Sequence, residues 1–224
     1  MHILSIVDNA IKYLVAAQES FQLEKSDQKF TCLKYDLKSS SIVTDPLGDL
    51  GVRFAVNFEF GSIDILHPKH GELASYPLLN ARHLDIVNWL ERERELLGFE
   101  EKFEFDLIEK TGFTLVPDDY CFPKPTADHY TKLATTVQKL VECAKVVSVV
   151  FDSVNPVGWY QEFGSLAFLG QFENQRCTIV VFRMIESGSK EFNIEVIADG
   201  VVIPQKLHLK DHETMIALIA DLIR

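Results

Sequence analysis

The chain has 224 residues, 47% of them apolar and 11% aromatic, and its 33 acidic against 22 basic side chains give a net charge of −11. That apolar content is ample for a core and excludes general disorder. The acidic balance repels phosphate backbones and anionic membrane surfaces, and no basic patch overrides it, because Arg92 and Arg94 alternate with Glu91, Glu93 and Glu95; neither nucleic acid nor a membrane is expected as a partner.

Cys32, Cys121, Cys143 and Cys177 form no CxxC pair, which fits a reducing cytoplasm. The N-terminal stretch lacks a basic region and reaches Asp8 too early for a signal peptide. No apolar run is long enough to span a bilayer.

Ser5-x-x-Asp8 has the form of a capping box, with Val7, Ile11, Leu14, Ala17 and Phe21 at helical spacing behind it. A first helix is therefore expected from Ser5 to between Gln18 and Leu23. From Phe30 to Leu37 the period becomes two, Leu33, Tyr35 and Leu37 alternating with Cys32, Lys34 and Asp36 as in a strand. A loop through Ser39–Ser41 and Pro46–Gly48 leads to the clearest alternation in the chain. Val52, Phe54, Val56, Phe58 and Phe60 share one parity, and Arg53, Ala55, Asn57 and Glu59 the other. Gly61-Ser62 fits a two-residue hairpin turn that sets Ile63 and Ile65 opposite Phe60 and Phe58, and predicts a half-covered antiparallel sheet.

Asn80 is positioned to cap a second helix with Leu84, Val87, Leu90 and Leu97 along one side and Gly98 as its stop. Phe103, Phe105 and Leu107 alternate with acids, and Glu109–Gly112 turns the chain toward Phe113–Val116, a second hairpin. Pro117, Pro123 and Pro125 then mark a boundary. Thr126 caps a periodic helix through Tyr130, Leu133, Val137, Leu140, Val141 and Ala144, and residues 145–151 either extend it or form a strand. A meander follows, with strands at 166–172, 177–185, 192–198 and 201–207 and a type I′ turn at Asp199-Gly200. Pro204 marks the last strand as an edge, and Asp211 caps a closing helix.

Five groups invite a chemical reading. His67 and His70, with His83 as a third ligand, are candidates for a divalent metal. The expected hairpin register pairs Glu59 with Asp64, either neutralised by Lys34 or serving as an acid/base or metal-binding pair. His208 and His212 flank the start of the last helix, with Glu191 opposite His208. Cys121, in the Pro-rich stretch, is the cysteine expected to be exposed, with His129 near it in sequence. The loop from Asn155 to Gly164 carries Trp159 and Tyr160 as candidates for ligand or partner binding. No phosphate-binding Gly-rich loop, GxSxG elbow or dinucleotide fingerprint occurs.

These patterns predict an α+β protein of antiparallel sheet with amphipathic helices on one face. The element order suggests a duplicated α–β-meander–α unit, divided into residues 1–117, a Pro-rich linker 118–125 and residues 126–224, or else one continuous domain. The expected function is non-catalytic binding of a partner protein inside the cell, chaperone-like or regulatory, alone or as a homodimer and with no cofactor. A metal-dependent hydrolase built on the Glu59, Asp64, His67 and His70 region is the alternative.

Overall fold

The computed structural model describes residues 3–22, 32–36, 39–111, 113–124, 134–135, 138, 141, 158–160, 165–170, 178–184, 191–198, 201–208 and 217. The protein is α+β, and its contacts gather into two units, Met1–Thr131 and Lys132–Arg224. Among the described residues no helix is long and apolar enough to cross a membrane.

In the first unit α1 (Ile3–Phe21) precedes five antiparallel strands: β1 (Cys32–Asp36), β2 (Ser41–Val43), β3 (Arg53–Asn57), β4 (Ser62–His67) and β5 (Gly71–Pro77). They form a meander in chain order. Helix α2 (His83–Leu97) and a 3-10 helix (Phe105–Thr111) follow. Ser5 lies inside α1 rather than capping it. Every residue from Ala10 to Gln18 is buried, as expected of a helix that is apolar on nearly all sides. Lys12 shares that burial by donating to Asn9 Oδ1 at 3.0 Å.

The β3–β4 hairpin has the expected faces but not the expected turn. Phe54 lies opposite Ile65 and Val56 opposite Ile63. The connection is the four residues Phe58–Gly61, because Asn57 Oδ1 accepts the Glu59 and Phe60 N–H groups at 2.9 and 3.2 Å and Asn57 O accepts that of Gly61. Relative to a Gly61-Ser62 turn the register moves four residues along β3, an even number, so every side chain keeps its face. Phe60 alone is lost from the core and stands 73% exposed at the tip.

The sheet is also more covered than its alternation implies. Ser41, Ala55, Asn57, Ser62 and Asp64, which share the parity opposite Phe54, are all buried. Their small size and mutual hydrogen bonds make that tolerable: Ser62 Oγ donates to Asp64 Oδ1 at 2.7 Å and Ser75 Oγ donates to the same oxygen at 2.6 Å. Helices α1 and α2 pack on the Phe54 face, through Phe21 against Phe54 and Trp89 against Tyr76.

Strands β2 and β5 have no counterpart among the sequence expectations. Ser41-Ile-Val43 is too short to alternate, and Gly71-Glu-Leu-Ala-Ser-Tyr-Pro77 holds no β-branched residue. The expected hairpin at 103–116 is absent, since the Phe103 and Glu104 N–H groups go to Glu91 Oε2 and Ser20 Oγ instead of a ladder. Gly98 does end α2, with φ of 75°. The helix starts later than Asn80, with Arg82 as its N-cap and its first turn fixed by the His83 N–H donating to Tyr120 O at 2.9 Å. That anchor rotates the buried stripe to His83, Ile86, Trp89 and Leu90 and leaves Leu84 exposed. Gly48 (φ 58°) is required by close approach, because a Cβ there would overlap the Phe99 ring that stacks on Phe21.

Residues 120–122 are bound to this unit rather than trailing from it. Cys121 bridges to Arg82, the Phe122 N–H donates to Ala81 O at 2.8 Å, and the Phe122 ring is fully buried.

The second unit holds another antiparallel meander, β6 (Gly158–Tyr160), β7 (Ser165–Gly170), β8 (Thr178–Met184), β9 (Glu191–Ala198) and β10 (Val201–His208). Ala198 pairs with Val201 and Glu191 with His208, the expected hairpin register, and Pro204 falls on β10, the last strand of the meander. Ala134, Thr135, Gln138, Val141 and Ala217 are helical. Thr126, residues 145–151 and Asp211 lie outside the described residues, as do His129 and His212.

Candidate functional site

Strand β5 ends the first unit's meander, paired on one side to β4. The register passes from Ile65 opposite Ala74 to Leu66 opposite Glu72, so Leu73 is the extra residue of a β-bulge. With the bulge, Glu72 and Pro77 blunting the strand, the straight edge left without a partner strand among the described residues is Ala74–Tyr76.

Beside that edge an open groove of about 560 Å³ is lined by Ser75 and Tyr76 of β5 and by Asp85, Asn88, Trp89 and Arg92 of α2. The α2 residues follow helical spacing, which puts them on the flank that overhangs the strand. Its floor is aromatic, with the Tyr76 and Trp89 centroids 5.3 Å apart and the rings tilted by 41°. Burial, reinforced by the Asp85 charge and opposed by that of Arg92, raises the Tyr76 pKa, so its hydroxyl stays a donor. Arg92 is held by Glu93, with Nη2 2.7 Å and Nε 3.3 Å from the same carboxylate oxygen. Behind the groove, Asp64 holds Ser75 by its hydroxyl.

None of these six residues figured among the sequence candidates. Trp89 was within reach, since it lies three residues after Ile86 and six after His83 on one helical face. Tyr76 was not, because the strand that carries it has no strand-like composition.

The candidates themselves lie apart. Glu59 is in the β3–β4 turn, whereas Asp64 lies between Ala55 and Ser75, so the two are not cross-strand partners. Lys34 neutralises neither; it pairs with Asp45 at 2.5 Å. His67 Nδ1 accepts the Lys69 and His70 N–H groups at 3.0 and 3.3 Å and so closes its own turn. Among the described residues no three His, Cys, Asp or Glu side chains form a group that could hold a metal. Trp159 is on β6, not in a displayed loop, and is 8% exposed with its indole N–H unpaired among the described residues. Cys121 is exposed, its Sγ 3.5 Å from Asn80 O.

His83 is buried inside the unit. Its Nδ1 lies 2.8 Å from Tyr13 Oη, and Phe105 meets its ring edge-on at 4.7 Å. Burial and the neighbouring Tyr120 push the Tyr13 pKa up, so the phenol keeps its proton and shares one hydrogen bond with Nδ1, as donor or acceptor according to the imidazole tautomer.

Burial lowers the His83 pKa, and Asp118 and Asp106 oppose that only in part. Above its ordinary value of 6.5, folded and unfolded chains both hold the ring neutral. As pH falls below that value the unfolded chain takes up a proton that the folded chain refuses, and stability declines until the folded ring titrates. Between about pH 7.5 and about pH 5.5 the urea midpoint of the wild type should therefore fall further than that of His83→Gln, whose amide offers Tyr13 both a donor and an acceptor. Equal falls would assign the acid sensitivity to other groups.

No protein-family model, curated protein or solved structure matches this chain.

Proposed function

We propose that this protein is a non-catalytic binding module of the cytoplasm, chaperone-like or regulatory, that captures an extended segment of a partner protein along β5. The segment adds its backbone to Ala74–Tyr76 and sends alternate side chains into the β5–α2 groove. The observation that carries this reading is the conjunction of a short free strand edge with an aromatic-floored groove whose Asp85 and Asn88 side chains make no hydrogen bond among the described residues. Of the groove's two hydroxyls, that of Ser75 is committed to Asp64 and that of Tyr76 is kept protonated by its raised pKa, and a net charge of −11 favours protein over nucleic acid as the partner.

The test is selection of extended peptides from a random library on immobilised protein, followed by titration against Trp159→Phe, which leaves Trp89 as the reporting indole. Selected peptides should change Trp89 emission and slow amide exchange at Ala74–Tyr76. They should bind Asn88→Arg, a substitution at an exposed helix position that fills the groove, about tenfold or more weakly. Peptides that bind Asn88→Arg as well as wild type, or a library from which nothing is enriched, would remove this reading.

A further inference from the structure

The groove's charges are not balanced, and the imbalance bears on what it accepts. Its one cation, Arg92, is 65% exposed and already carries Glu93, a carboxylate only 12% exposed. Its one anion, Asp85, makes no hydrogen bond and no ion pair among the described residues, and its charge adds to the burial that raises the Tyr76 pKa. An unmatched carboxylate therefore shares the groove with the half-buried Tyr76 ring and with Trp89, which is 6% exposed and packs on Tyr76. Carboxylate and π-faces together match the chemistry of a lysine or arginine side chain, whose charge is drawn to both and whose apolar stem lies against the rings.

The wider field agrees with the local one. Residues Met1–Thr131 hold 22 acidic and 13 basic side chains, so nine of the net eleven negative charges belong to the unit that carries the groove. Such a field concentrates and steers cationic segments.

We infer that the segment bound along β5 is basic, and that one of its lysine or arginine side chains lies between Asp85 and the Tyr76–Trp89 pair. This rests on the peptide-binding reading above and adds the chemistry of the occupant. Spacing supports it. A segment paired to Ala74–Tyr76 presents every second side chain to the face on which Tyr76 and α2 meet, so one position of the segment falls at Asp85 whenever its register is fixed.

Asp85 also sits in the first turn of α2, where a carboxylate stabilises the helix dipole. That role alone would lower the melting temperature of Asp85→Asn without touching peptide preference, so preference is what separates the two.

The same random library is therefore selected in parallel on wild type, Asp85→Asn and Asp85→Arg at low salt. Wild-type peptides should carry Lys or Arg at one fixed position. Their affinity for Asp85→Asn should fall about tenfold, the worth of an ion pair and a cation–π contact partly withdrawn from water. Asp85→Arg should favour Asp or Glu at that position. Peptides that protect Ala74–Tyr76 from exchange yet show no basic position, or a basic preference that survives Asp85→Arg, would overturn the inference and leave peptide capture intact. Failure of any peptide to reach β5 would remove both. Sedimentation of the protein alone supplies the other arm, since self-association abolished by Asn88→Arg would make a second copy of this chain the occupant.

Discussion

Phe122→Ala should cost about 3–5 kcal/mol of stability, the range for deleting a fully buried aromatic ring from a site that cannot close over the cavity. The site cannot close because its walls are fixed from three directions. Tyr13 is held by its hydrogen bond to His83, Tyr120 meets Phe122 edge-on with centroids 5.1 Å apart, and the backbone on either side is tied by Phe122 N–H to Ala81 O and by His83 N–H to Tyr120 O. The measurement is the urea midpoint at unchanged slope, with Phe122→Leu expected to lose about 1–2 kcal/mol because it refills most of the volume. Amide exchange in the first turn of α2 should accelerate in Phe122→Ala, since the strand-like bridge of Cys121 to Arg82 loses its anchor. A cost below about 1 kcal/mol would mean that the segment after Pro117 behaves as a linker after all.

That segment illustrates where the sequence was readable and where it was not. Strict alternation from Val52 to Phe58 identified a strand and its inward face, and Gly98 ended α2 as its φ demands, because both signals are local. The prolines near 117–125 are an equally local signal for irregular backbone, and residues 117–124 lie in no helix or named strand. Whether an irregular stretch lies free or is pinned depends on distant partners, here Ala81 and Tyr13, which no spacing rule reports. The same holds for the hairpin turn. Gly61 does adopt positive φ, but the Asn57 side chain selects a longer turn, a choice invisible to a rule that reads glycine alone.

The candidate groove was the least legible part. It joins a helix flank, of which Trp89 is the visible member, to a strand whose composition advertises a loop. Its chemistry exists only where the two meet. Conversely, the histidines that stood out by type proved to be a turn-closing acceptor at His67 and a buried hydrogen-bond partner at His83. Residue type announced polarity correctly in both cases, but use was decided by burial.

Asp64 makes the sharpest case, and Asp64→Ala should cost about 2–4 kcal/mol, the loss of two hydrogen bonds that share one carboxyl oxygen. The side chain is 3% exposed, and its removal strands the buried Ser62 hydroxyl without an acceptor. Asp64→Asn retains an acceptor oxygen but brings an amide donor into the same space, so it should lose less, about 1 kcal/mol. A double-mutant cycle of Asp64→Ala with Ser75→Ala should show coupling of about 0.5–3 kcal/mol, because the two removals break the same contact. The consequence reaches the groove, since Ser75 stands on the edge strand near the Leu73 bulge, where β5 is otherwise held by its ladder to β4 and by the packing of Tyr76 against Trp89. Without Asp64, amide exchange at Ala74–Tyr76 should quicken and peptides selected on wild type should bind more weakly, although Asp64 touches none of them. That outcome would make the buried carboxylate a positioning residue for a binding edge rather than an acid or base in a reaction. Stability and β5 exchange unchanged in Asp64→Ala would free that carboxylate for chemistry and take from the binding reading the internal brace on which its edge depends.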